Sequence, residues 1–340
     1  MLITRSRLPI ALATGLAVLA LLVAASFALG AFPLAPREAL SVLWSALTGA
    51  QDAGSDSARA VVLELRAPRI AAALAVGMAL GIAGAAFQTA FRNPLVSPDI
   101  LGVSSGCALG AMAGFLLGLP AVGIQAAAFA GGLAAVTLVL AIGARIRAAD
   151  PVLTLVLTGV VVGSLFSAGI AFAKTIADPY NQLAPMTFWL LGSFSGVLGR
   201  DLVLALPLML LGSLPLVLLR WRVNVLALPE DEARALGVDS GRLRLLVVVA
   251  ATLATSAAVA LVGVIGWVGL VVPHAARLLT GPAFARVLPL AALLGAAFML
   301  LVDTVCRTLA AAEVPPGVVT ALVGTPAFIA LLAIAGRRTA

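Results

Sequence analysis

Charged side chains are rare in this sequence, and a few stand where an ionic partner is needed to explain them. Arg66 and Arg69 lie three apart in LELRAPRI (63–70), just before a long apolar run that starts at Ile70. Arginine is costly beside hydrocarbon, so the two charges need acceptors or water at that boundary. Asp303 and Arg307 are four apart, the spacing that lets an acid and a base pair on one helix face. The other reactive types point away from catalysis. Cys107 and Cys306 sit inside apolar runs, with no zinc spacing and no disulfide framework. One histidine (His274), two distant cysteines and six methionines make no metal site of sensible spacing. A metal ion, if the chain carries one, must travel wrapped in an organic chelator. Lys174 and Thr175 follow GIAFA, which lacks the glycine that a phosphate-binding loop needs before its lysine. Any ATP hydrolysis therefore belongs to another chain. No acid–base pair, nucleophile–histidine pair or metal cluster stands inside an apolar run, which weighs against an integral-membrane enzyme. Acids gather at ends and loops rather than at mid-membrane depth, which disfavours an ion-gradient-driven secondary transporter. Sodium coupling through backbone carbonyls stays open.

The elements that must position these residues are membrane helices. The sequence is 62% apolar and 10% charged, where an ordinary soluble domain carries about 25% charged residues. Apolar runs of roughly 18 residues or more recur throughout, and each can cross ~30 Å of hydrocarbon as a helix. The runs are continuous rather than alternating, so helices are expected, not a barrel. Ten spans are expected, near 8–30, 69–90, 98–118, 121–144, 151–174, 201–222, 243–263, 264–284, 287–307 and 317–336, in a single all-α membrane domain. The first is read as an uncleaved helix, because its apolar core is too long for a secretory signal and further spans follow. Met186 to Val197 is apolar but too short to span, and is expected as a helix outside the membrane. With the amino terminus in the cytoplasm, fourteen of the 21 basic residues fall on the inner side. That bias puts both termini inside and Arg66, Arg69 and Arg307 outside. The net charge of +7 reflects arginines flanking spans and membrane lipid, not nucleic acid.

Several interruptions carry information. FRNPLVSPDILGVSSG (91–106) breaks the apolar pattern: Pro94 and Pro98 deny the helix two donors, and Asn93, Ser97 and Gly102 suit a tight turn. Asp99 suits the positive end of the next helix. ALPEDEARALGVDSGRLR (227–244) is the longest polar stretch on the inner side. It reads as a short helix from Glu230 to Leu236 stopped by Gly237. This is either a solvated loop or a docking helix with Ala233 and Leu236 to bury. Gly77, Gly81 and Gly84 have the spacing that lets helices approach closely, and read either as packing or as the wall of a passage. Pro315 and Pro316 open the last span, and Pro326 is placed to kink it.

LRAPR, GAAFQTAFRNPLVSPDILGVSSG, TFWLLGSFSG, EARALG, GWVGLVVPHAARLLTG, DTVCR and EVPPGVVTALVGTPAF follow one another in order from Arg66 onward. Together they resemble the permease subunits of bacterial type II ABC importers for iron chelates, haem and vitamin B12. The commonest form of the first motif has leucine where this chain has Ala67. The resemblance implies a ten-helix permease in the bacterial inner membrane, working as a homodimer with a second copy of itself. It implies two ATP-binding cassette subunits that use the ATP and a periplasmic binding protein that delivers cargo, with no cofactor on this chain. It implies that Arg66, Arg69 and Arg307 receive acidic residues of the binding protein. Read from the residues alone, the same arginines are interfacial anchors and the partner of Asp303. It implies that a cytoplasmic region over 223–242, with Glu232, Ala233, Leu236 and Gly237, couples to the ATPase, together with His274 and Arg277. NPLVSPDILGVSSG looks most like the branch carrying ferric siderophores; haem and cobalamin are the alternatives.

Overall fold

A computed structural model describes residues 8–30, 32, 34–49, 55–146, 151–310 and 312–339. Arg5, Arg7, Arg147 and Asp150 lie outside the described residues. Thirteen helices account for most of the chain: α1 Leu8–Ala28, α2 Pro36–Thr48, α3 Asp56–Ala90, α4 Val103–Leu116, α5 Ala121–Arg145, α6 Pro151–Ile176, α7 Leu183–Leu191, α8 Gly199–Leu218, α9 Glu230–Ala235, α10 Ser240–Val262, α11 Val268–Thr280, α12 Phe284–Thr308 and α13 Pro316–Thr339. Among the described residues, seven helices are long and apolar enough to cross a membrane, while α4, α11 and the first part of α13 are shorter apolar helices. These ten fall in the order of the ten expected spans.

The chain's direction along these helices defines two ends. Arg66 near the start of α3 meets the last turn of α1 and the last turn of α12. Ala90 at the other end of α3 accepts a hydrogen bond from Arg244 at the start of α10. Leu8 and the last turn of α13 both lie at this opposite end, because α1 finishes and α13 begins at the arginine end.

Boundaries moved where backbone chemistry required it. The third expected span is α-helical only over Val103–Leu116. Pro98–Leu101 forms a 3₁₀ turn, and Gly102, at φ 79°, adopts the left-handed conformation that ends it. The span expected at 264–284 shortens to Val268–Thr280, about 20 Å at 1.5 Å per residue. The segment over 263–267 does not continue α10, and Trp267 takes a left-handed φ of 71°. The helix expected from Met186 lies one turn earlier, at Leu183–Leu191, and stops at Gly192. α2 is a helix that a search for spanning runs does not reveal. It buries Ala39 and Val42 and leaves Leu40 and Trp44 exposed. α3 also begins a dozen residues before its expected start, with a π-helical turn over Ala60–Arg66. Pro68 lacks the N–H that would continue a regular ladder, and widened turns of this kind accommodate such a loss.

The interior is built on α3, α10, α11 and α12. From Ile70 to Phe87 α3 is apolar on all faces and buried on most of them, as a central helix must be. A Cβ on Gly77 would stand 2.1 Å from the carbonyl oxygen of Gly295 in α12, one on Gly81 2.5 Å from that of Ala291, and one on Gly84 1.9 Å from that of Gly269 in α11. These glycines let helices touch backbone to backbone. They do not wall an open passage, and that alternative is set aside for this face.

Candidate functional site

Three helices and one loop bring the arginines together. Arg66 and Arg69 share a face of α3, Arg307 sits in the last turn of α12, and Glu313 follows in the connection to α13. Asp303, wholly buried, bridges two of them: Arg69 Nε donates to its Oδ1 at 2.7 Å, and Arg307 Nε lies 3.1 Å from its Oδ2. The forked end of Arg69 donates to both oxygens of Glu313, at 2.7 and 3.0 Å. Such two-point contact is the geometry that arginine alone supplies well.

Among the described residues, Arg66 has no carboxylate as a hydrogen-bond partner. It donates to the carbonyls of Phe27 and, at 2.7 Å, Phe32. Arg307 completes its fork on the Leu29 carbonyl at 2.9 Å and on the carbonyl and hydroxyl of Ser26 at 3.2 and 2.7 Å. The last carbonyls of a helix have no partner within it and carry the negative end of its dipole. Two guanidiniums on other helices therefore cap α1 and hold it to the bundle. Three guanidiniums face two carboxylates, so the cluster keeps one positive charge.

Both readings of these residues meet here. Asp303 does pair with Arg307. Arg66, Arg69 and Arg307 do stand together at one end, but each is buried and already bonded within the chain. A partner's acid would have to share or displace an acceptor that is present. Glu313 and the carbonyl acceptors of α1 were missed by sequence reasoning. Glu313 had a signal, an acid six residues beyond Arg307 and just before two prolines; the carbonyls had none.

Beside the cluster lies a cavity of about 510 Å³, walled by α7, by the 192–197 connection, by the end of α10 and by Glu313–Pro316. Asp178, in the connection before α7, accepts hydrogen bonds from the backbone N–H of Tyr180 and the side chain of Asn181. These hold its carboxyl below the usual carboxylate range. Gln182 then donates to the Phe115 carbonyl at 3.0 Å and ties this connection to α4.

The opposite end carries the other candidate residues. In the α3–α4 connection, Asn93 Oδ1 accepts from the Leu95 N–H at 2.9 Å, and Ser104 donates to Asp99. Pro94 lies in the same turn, and Pro98 starts the 3₁₀ turn that Gly102 ends. Arg92 donates to the Leu226 carbonyl at 3.0 Å. On α9, Glu230 and Arg234 form an exposed ion pair at 2.8 Å, Glu232 faces solvent, and Gly237 turns the chain at φ 74°. Leu236 is 62% exposed, beside a groove of about 390 Å³ that Arg222, Asp239 and Arg242 also line. Ala233, in contrast, is 1% exposed and packs inside the chain. It anchors α9, and Leu236 is the apolar side chain offered outward. His274 is also buried, with its ring edge-on to Phe328 of α13 at 5.8 Å. As placed it fixes α11 against α13 and does not reach a surface, and Arg277, one turn on, is only partly exposed.

The family model for the FecCD transport family matches residues 18–334. The chain belongs to the FecCD transport family. A FecCD relative, the cobalamin import system permease BtuC of Halobacterium salinarum, is 41% identical over 85% of this chain and 79% of its own length. The molybdate import permease MolB of Haemophilus influenzae is 37% identical over 89% of each chain. A Helicobacter pylori permease named for iron chelatin transport is 41% identical over 80% of this chain and 82% of its own. A solved ABC transporter described as metal-chelate type, in an inward-facing conformation, superposes with a TM-score of 0.86 at 35% identity, covering 96% of this chain and 99% of that one. This FecCD chain is thus a multi-pass membrane permease of an ABC importer, and its relatives are transport subunits for several different cargoes.

Proposed function

We propose that this permease moves a ferric-siderophore-type chelate from periplasm to cytoplasm, across the inner membrane, as one of two copies in a complex with two ATPase subunits and a binding protein. The observation that carries the reading is the division of the molecule's two ends. One gathers Arg66, Arg69 and Arg307 with a net positive charge, and the other exposes Leu236 on a short polar helix. A net charge of the first kind, complementary to an acidic partner, raises association rate and selects partners. An apolar knob beside a groove, as at Leu236, suits a partner that must transmit motion. The arginine end is assigned to the periplasm by the excess of basic residues at the other end. The proposed cycle asks no chemical step of this chain: a loaded binding protein settles on the arginines, ATP closure moves α9, and the permease pair shifts between packings open to either side.

The choice of cargo rests on NPLVSPDILGVSSG, which resembles the siderophore branch. A cobalamin permease at 41% identity favours cobalamin as the second reading. The test is uptake by proteoliposomes holding the complete transporter and its binding protein, offered a labelled ferric siderophore, haem, cobalamin and molybdate in turn. Accumulation of the ferric siderophore alone supports the proposal. Preference for cobalamin would replace it, and preference for haem or molybdate would refute both.

A further inference from the structure

Arg69 is bonded on two sides that differ in exposure. Its Nε faces Asp303, which is 0% exposed; its fork faces Glu313, which is 46% exposed while Arg69 itself is 10%. Glu313 therefore covers Arg69 from the solvent side. It does so with two oxygens at 2.7 and 3.0 Å, the arrangement an incoming carboxylate would adopt. Glu313 also belongs to the connection between α12 and α13, where the Val314 N–H donates to the Cys306 carbonyl at 3.2 Å. With Val314, Pro315 and Pro316 it forms one wall of the cavity of about 510 Å³.

We propose that Glu313 is an internal occupant of a carboxylate site on Arg69, that a partner's acidic side chain displaces it on docking, and that its release frees the connection ahead of α13 to move off the cavity. This rests on the reading of the arginine end as the docking surface. Exchange at this position replaces one ion pair by another and leaves the cluster's charge as it was. Both the bound and the released state are therefore accessible to a modest docking energy. Asp303 cannot take this part, because it is enclosed and bridges Arg69 to Arg307. The latch links arrival of a partner at one face to the mobility of a cavity wall, with the connection ahead of α13 as the element that moves.

The test uses the complete transporter in lipid nanodiscs and its own binding protein, unloaded. Glu313→Gln keeps the shape and removes the competing charge. Docking should tighten roughly tenfold, which is about 1.4 kcal/mol. Glu64→Gln removes an acid of the same sign two residues before Arg66 and should change docking by less than twofold. A nitroxide on Ala312→Cys should gain mobility when the wild-type transporter is docked, and should already be mobile in Glu313→Gln without a partner. Unchanged or weaker docking by Glu313→Gln overturns the proposal, as does equal tightening by Glu64→Gln or a label that docking leaves immobile. Arg66→Gln separates the two levels, since Arg66 does not touch Glu313. If it leaves docking intact, the docking surface itself is wrongly placed; if it weakens docking while Glu313→Gln has no effect, only the latch fails.

Discussion

Asp303→Asn removes one negative charge without changing shape, and the geometry sets what that should cost. The carboxylate is fully enclosed and sits between two guanidiniums. Taking away one partner of a buried ion pair costs about 3–5 kcal/mol, because the remaining charge is left without compensation in a poor solvent. Arg69 keeps Glu313, so its loss is partial. Among the described residues, Arg307 keeps only carbonyl and hydroxyl acceptors, those of Ser26, Leu29 and Thr304. The lower end of the range, about 3 kcal/mol, is therefore expected, or roughly 4 °C in apparent melting temperature for a chain of 340 residues. The chain provides its own reporter, since Cys107 and Cys306 are free and buried. A thiol-reactive fluorogenic maleimide follows unfolding through Cys107, in a Cys306→Ser background that avoids a label beside the mutated turn. Arg242→Gln serves as the control, because the Arg242 and Asp239 side chains pair at 3.1 Å on the surface, both largely exposed, and the substitution keeps the Arg242 N–H that Asp239 caps. An exposed pair contributes at most about 1 kcal/mol, so its melting point should move by less than about 1.5 °C. If the two variants shift alike, the arginine cluster is not the buried network described and its role in holding α1 is refuted.

Gly77→Leu should abolish folded yield, because even a Cβ there would stand 2.1 Å from the Gly295 carbonyl; size-exclusion chromatography after detergent extraction reads this, and a monodisperse, normally melting variant would contradict the packing. Leu236→Glu should leave melting unchanged, since Leu236 is exposed, but should weaken association with the ATPase subunit by at least tenfold, within the ~1.5–3 kcal/mol that burying a leucine contributes; co-purification yield measures it, and undiminished yield would remove Leu236 from the interface. Labelling with a membrane-impermeant maleimide should reach Glu64→Cys in spheroplasts and Leu236→Cys only after permeabilisation, and the reverse pattern would invert the proposed orientation.

Apolar run length made the ten apolar helices legible in order, seven of them long enough to cross a membrane, because hydrocarbon thickness acts on every residue of a spanning helix alike. The Asp303–Arg307 pair was legible for a similarly local reason: one turn of one helix. The arginine cluster as a whole was not. Arg69 and Glu313 are 244 positions apart, and only packing of α3 against α12 joins them. α2 escaped because a helix lying at a boundary needs one apolar face rather than a long apolar run, and Ala39 and Val42 alone do not make that face conspicuous. The glycines of α3 were ambiguous in principle. Small residues suit close packing and open passages equally, and only the carbonyls of Gly295, Ala291 and Gly269 show which applies. Ala233 and Leu236 looked alike on paper as apolar residues of a polar stretch, and the fold buries one and exposes the other.

In the proposed function this chain is a conduit driven by a partner's ATP hydrolysis. The decisive experiment uses proteoliposomes holding the permease, with its binding protein and labelled chelate outside, the ATPase subunits present or omitted, and ATP enclosed. Accumulation that requires both the ATPase subunits and hydrolysable ATP is the predicted result. Accumulation by the permease alone under a sodium or proton gradient would contradict it.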